Sequence, residues 1–141
     1  MSRIVFELPE QFSYSTELPI YISHINGGGH LDNAAFVVLL SEARTRFFMA
    51  NGFDALSLGE LSLVAADLVV QYKSQAYYGE VLRFELTPAD FNRYGFDIVF
   101  RVTETAQGRE VARGKLGIVF VRKDTGKVTP TPAVVLARLK C

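Results

Sequence analysis

The chain has 141 residues, a length that suits one globular unit, so residues 1–141 are read as a single domain. Hydrophobic residues make up 49% and charged residues 21%, and fifteen Lys and Arg balance fifteen Asp and Glu; this excludes a disordered chain and lacks the charge asymmetry of a nucleic-acid or anionic-membrane binder. The sole cysteine, Cys141, cannot form an internal disulfide, no Cys/His set has metal-ligand spacing, and neither a signal-peptide pattern nor a membrane-length apolar run occurs, so a cytoplasmic protein without a metal is expected.

In chain order, Ser2 to Leu8 reads as a short strand ended by Pro9. Tyr14 to Ile22 reads as a second extended piece, and Pro19 within it marks an edge rather than a central strand. Asn26-Gly27-Gly28-Gly29 is a tight loop that lets another group approach the main chain. Asp32 and Asn33 are N-cap residues for a long helix, Asp32 to Asn51. Within Ala34 to Ala50 the apolar residues Phe36, Val37, Leu39, Leu40, Ala43, Phe47 and Phe48 recur at helical spacing, and only Glu42, Arg44 and Arg46 carry charge. Such a helix has to be largely buried, and Asn51-Gly52 stops it.

The remainder reads as strands: Leu63 to Ser74, Val81 to Thr87, Tyr94 to Thr105 and Glu110 to Arg122. Gly79-Glu80, Asn92-Arg93 and Gln107-Gly108 are the turn signals between them, which predicts a meander. Asp124-Thr125-Gly126 closes it, and Pro130 and Pro132 lead into a short C-terminal segment with helical character. One antiparallel sheet and one apolar helix form an α+β plan, the sheet curving around a single long central helix. A single sheet leaves open edges, so a homodimer or homotetramer that covers an edge is expected.

Two stretches carry a resemblance. Gly29-His30-Leu31-x-Asn33, followed by Glu42-Ala43-Arg44 on the helix, resembles the G-H-V-x-N and E-A-R signatures of the 4-hydroxybenzoyl-CoA thioesterase-like hotdog family. Tyr78-Gly79-Glu80-Val81-Leu82 looks like that family's Y-G-D-x-L turn, so the resemblance spans nearly the whole chain. It implies a hotdog fold and an acyl-CoA thioesterase: hydrolysis of an acyl thioester, on CoA or an acyl carrier, to a free acid and thiol, with no cofactor beyond the CoA of the substrate. The family's D-x-D catalytic motif is altered, because His24 stands at the first Asp and Asn26 at the second. Asn cannot act as a general base.

Within that implied activity, a thioester carbonyl needs donors where its oxygen becomes negative, and the backbone of Gly28, Gly29 and His30 leading into a helix N-terminus is the expected oxyanion site. The same glycines also permit a sharp strand-to-helix turn. His30 is the candidate base, or a capping residue, and Asn26 orients water or carbonyl, or forms an Asx turn. His24 is a second candidate base, sharing a face with Asn26 if that stretch is extended. Glu42 is the catalytic candidate on the helix, with Arg46 four residues on as its ion-pair partner. Asn33, Phe36, Val37 and Leu40 are the candidate acyl-slot residues, or plain core. Lys73, Arg93, Arg122 and Lys123 are candidates for the CoA phosphates. Loss of the Asp also fits a non-catalytic acyl-thioester-binding protein, whereas the dehydratase branch of the fold is disfavoured because no proline lies between Asn26 and Asn33.

Overall fold

The structure, a computed structural model, describes residues 4–54 and 57–140. Seven strands and two helices follow in the order β1 (Tyr14–Pro19), α1 (Asn33–Ala50), β2 (Ser57–Leu58), β3 (Leu61–Tyr72), β4 (Val81–Asn92), β5 (Gly95–Glu104), β6 (Glu110–Arg122), β7 (Val128–Thr129) and α2 (Ala133–Leu139). The strands form one antiparallel sheet in the order β1-β4-β5-β6-β3-β2, with β7 on β6. The sheet curls around α1, which is the hotdog arrangement.

The helix begins and ends where its caps dictate. Asp32 Oδ2 accepts from the Ala34 and Ala35 N–H groups at 2.9 and 3.2 Å. At the other end Asn51 Nδ2 donates to the Phe47 carbonyl at 2.8 Å, and Gly52 takes φ +84°, a left-handed conformation that favours glycine. Phe36, Leu39, Leu40, Ala43, Phe47 and Phe48 are buried, while Val38 and Met49 face outward. The sheet meets the buried stripe with Leu82, Phe84, Leu86, Phe96, Ile98, Phe100 and Val102. Phe36 sits 6.0 Å from Phe84 and 6.4 Å from Phe100, ring to ring. Each buried Phe contributes roughly 1.5–3 kcal/mol. The intervening strand residues point outward and pair: Arg83 with Glu17, Arg101 with Glu85 and Lys115 with Asp97.

Four expectations change. Residues 4–8 form no strand, and Ser2 and Arg3 lie outside the described residues. This segment has no ladder partner; instead the Phe6 carbonyl accepts from Arg113 Nη1 at 3.0 Å, and the Phe12 ring lies under the Arg101 guanidinium. The extended piece expected to reach Ile22 stops at Pro19, and Ile22–His24 is a 3-10 turn. The third change is in β4, which runs through Pro88 to Asn92. That is tolerated because β1 pairs only as far as Leu86, so the proline's missing N–H lies on an edge.

The full meander does not form. β4, β5 and β6 follow one another, but β3 pairs with β6 across the sheet, from Leu61↔Arg122 to Tyr72↔Ala112. The segment 73–80, which holds the Gly79-Glu80 turn signal expected to lead into the next strand of a meander, therefore crosses the end of the sheet from one side to the other. The remaining turn expectations hold, and the C-terminal segment is helical, with Val135 fully buried. No helix among the described residues is long and apolar enough to cross a membrane.

Candidate active site

The glycine loop folds back on itself. Ile25 and Leu31 form a bridge, the Asn26 N–H donates to the His30 carbonyl at 3.0 Å, and the Asp32 N–H donates to the His24 carbonyl at 2.9 Å. Inside this clamp, Asn26 Oδ1 accepts from the Gly28 N–H at 2.9 Å and the Asn26 carbonyl accepts from the Gly29 N–H at 3.1 Å. Gly29 has φ +84°, which explains a glycine there. The expected oxyanion donors on Gly28 and Gly29 therefore already have acceptors within the loop. Because its oxygen faces the loop, Asn26 offers its Nδ2 group as a donor.

The loop brings Asn26 and His30 together. A β-carbon added at Gly28 would lie 3.2 Å from His30 Nε2 and 3.3 Å from Asn26 Oδ1. His30 Nδ1 lies 3.3 Å from the Leu31 carbonyl, so the tautomer protonated at Nδ1 donates there and leaves a lone pair on Nε2.

His30 also lines a cavity of about 390 Å³ together with Leu31, Asn33, Phe36, Tyr72 and the segment Lys73 to Ala76. Leu31, Phe36 and Ala76 give it an apolar floor, and Lys73, Ser74 and Gln75 are polar. Two ties close it: the Leu31 N–H donates to the Ala76 carbonyl at 2.7 Å, and Tyr72 Oη donates to the Asn33 carbonyl at 3.4 Å. Burial first, and the Asp32 carboxylate second, raise the Tyr72 hydroxyl above its ordinary value.

The other expected residues lie elsewhere. His24 belongs to the 3-10 turn rather than to an extended run, so it does not share a strand face with Asn26; its Nδ1 accepts from the Tyr21 N–H at 3.0 Å and its ring stacks on Tyr21. Glu42 is exposed on the β1 side of the helix, 2.8 Å from Arg46 Nε, and Arg46 also donates to Thr16 Oγ1. Of the helix positions, Asn33 and Phe36 line the cavity, whereas Leu40 is core and Val37 packs against it.

The sequence reading missed the wall Tyr72 to Ala76, apart from Lys73. A strand followed by a polar run carries no periodic mark of a cavity; only the neighbouring Tyr78-Gly79-Glu80 turn hinted at that end of the sheet. Among the four candidate phosphate contacts, Lys73 alone borders the cavity, while Arg122 pairs with Asp124 at 2.8 Å and Arg93 lies over the Tyr94 ring. No group of three His, Cys, Asp or Glu side chains suited to a metal exists among the described residues.

The fold is shared with solved thioesterases. A thioesterase complexed with coenzyme A and Zn from Thermus thermophilus superposes with a TM-score of 0.81 at 22% identity, covering 93% of this chain and 100% of that one. A 1,4-dihydroxy-2-naphthoyl-CoA thioesterase from Synechocystis gives 0.76 at 18% identity over 84% and 89% of the two chains. A DHNA-CoA thioesterase from Staphylococcus aureus gives 0.76 at 17% identity over 82% and 78%. None of the curated proteins compared matches the chain. The model of the Thioesterase-like superfamily matches residues 22–139, which includes the glycine loop, the helix and the cavity wall, and the chain belongs to that superfamily.

Proposed function

We propose that the protein hydrolyses acyl-CoA thioesters, using His30 as the base and Asn26 as a donor to the carbonyl. The observation that carries this reading is the convergence of His30 Nε2 and the Asn26 amide over Gly28, with His30 on the wall of an apolar-floored cavity. Water attacks the thioester carbonyl carbon while Nε2 takes its proton, and the carbonyl oxygen becomes negative against Asn26 Nδ2. The C–S bond then breaks, and the imidazolium returns the proton to the leaving thiolate. Phe36 receives the acyl group, and Lys73 meets the phosphates of CoA. The chemistry needs no resident metal or redox group. The coenzyme A bound to the Thermus thermophilus relative supports CoA as the carrier.

A homodimer through β3 is part of this reading. On the side away from β6, β2 pairs only with Leu61 and Ser62, and the exposed run from Val64 to Asp67 follows. That leaves an open edge among the described residues, next to the strand end that forms the cavity wall.

Thiol release over acyl-CoAs of graded length, for the wild type, His30→Ala and Asn26→Ala, tests the proposal. Wild-type turnover that falls at least about hundredfold in each variant is expected. Full activity in both would remove the assignment. A second reading has its own support: among the described residues, none that lines the cavity is a carboxylate, which fits an acyl-thioester-binding protein without turnover. Calorimetric binding of acyl-CoA with no thiol release would select it.

A further inference from the structure

Tyr72 stands between two hollows. It lines the cavity of about 390 Å³ at the helix N-terminus, and also a second hollow of about 410 Å³ along the β3 edge with Ile4, Val70 and Gln71. Among the described residues it is the one common to both linings. The second hollow is largely apolar through Ile4, Val70 and the Tyr72 ring. The hold on Tyr72 is light: its ring meets Phe36 edge-on at 5.5 Å, its hydroxyl makes one long hydrogen bond of 3.4 Å to the Asn33 carbonyl, and 44% of the residue is exposed.

We infer that Tyr72 is the partition that sets acyl-chain length: the chain enters the first cavity beside His30, and the Tyr72 ring closes it off from the apolar hollow beyond. This rests on the thioester reading above. The occupant of the second hollow is the distal part of a long acyl chain, because that hollow is itself largely apolar and shares Tyr72 with the cavity that His30 lines. With the ring in place, short acyl groups fill the available apolar surface and longer ones meet the ring. With the ring removed, each further methylene that enters the apolar hollow adds roughly fourfold to kcat/KM.

The test compares butanoyl-, hexanoyl-, decanoyl- and dodecanoyl-CoA in the wild type, Tyr72→Phe and Tyr72→Ala. The same set as non-hydrolysable thioether analogues is followed by calorimetry. The wild type and Tyr72→Phe are expected to favour the short chains, and Tyr72→Ala to raise the ratio of long to short by about tenfold or more. The ratio does not depend on how much of a variant is folded. An Ala variant with the wild-type ratio in both assays overturns the partition. Analogues that bind with the expected ratios but esters that are not cleaved leave the partition standing and overturn hydrolysis. No binding of any analogue by the wild type overturns both.

Discussion

Arg109 and Glu80 face each other at the end of the sheet, Nη2 to Oε1 at 2.8 Å, and the same Nη2 donates to the Gln75 carbonyl at 3.1 Å. Glu80 in turn accepts from the Tyr77 N–H at 2.8 Å, and Arg109 Nε reaches Ser74 Oγ at 3.3 Å. This pair is therefore the fastening of the cavity wall. Arg109→Met is expected to lower stability by about 1–3 kcal/mol in urea unfolding, since it takes the guanidinium from the partly buried Glu80 carboxylate and removes the bonds to Gln75 and Ser74. KM should rise more than kcat falls, because the wall positions substrate rather than the reacting atoms. Unchanged KM would show that the wall keeps its shape without the pair.

Glu104 is the one buried acidic side chain among the described residues, 3% exposed, and its two oxygens accept from the Gln107 and Ala106 N–H groups at 2.7 and 2.9 Å. Those backbone bonds, the Gln107 one first, hold its carboxyl below the ordinary value. A depressed folded pKa gives stability that is present in full above the unfolded value and is lost as pH falls through the folded one. Glu104→Gln should therefore be less stable than the wild type near neutrality, and the gap should narrow as pH falls below the ordinary carboxyl value of 4.5. Thermal melts across that range check it; a constant gap would show that the charge is not what the turn recognises.

Asn26→Asp separates a donor from a base. The carboxylate keeps the acceptor that Gly28 needs but loses Nδ2 and places negative charge beside the developing oxyanion. Turnover is expected to drop about hundredfold. Faster thiol release would instead mean that this position works as a base.

Arg44 Nε is the buried side-chain polar atom without a hydrogen-bond partner among the described residues, and burial lowers the arginine's pKa. An unmet buried donor costs about 1–3 kcal/mol. Arg44→Met keeps the apolar stem and is expected to raise Tm by roughly 3–12 °C. A lower Tm together with a weaker dimer in light scattering would show that a second copy supplies the missing acceptor.

The helix and most strands were legible because their signals are local. Asp32 and Asn51-Gly52 mark the ends of α1 by side-chain and backbone chemistry within a turn, and the alternation of Phe96, Ile98 and Phe100 with Asp97, Val99 and Arg101 marks β5. The family signature placed Asn26, His30 and Asn33 in one short stretch, and the fold does bring Asn26 and His30 together. It also placed Glu42 and His24 in view, and nothing local could tell that one would pair with Arg46 and the other would stack on Tyr21.

What the amino-acid sequence determined by itself was therefore most of the elements, the buried helix face and the loop proposed to carry the chemistry, since periodicity and capping act over a few residues. Tertiary structure alone decided that β3 pairs with β6 rather than β4 and that Tyr72 to Ala76 line a cavity together with His30. Those outcomes depend on contacts between residues dozens of positions apart, where loop closure and strand register select the partner and no short pattern records the choice.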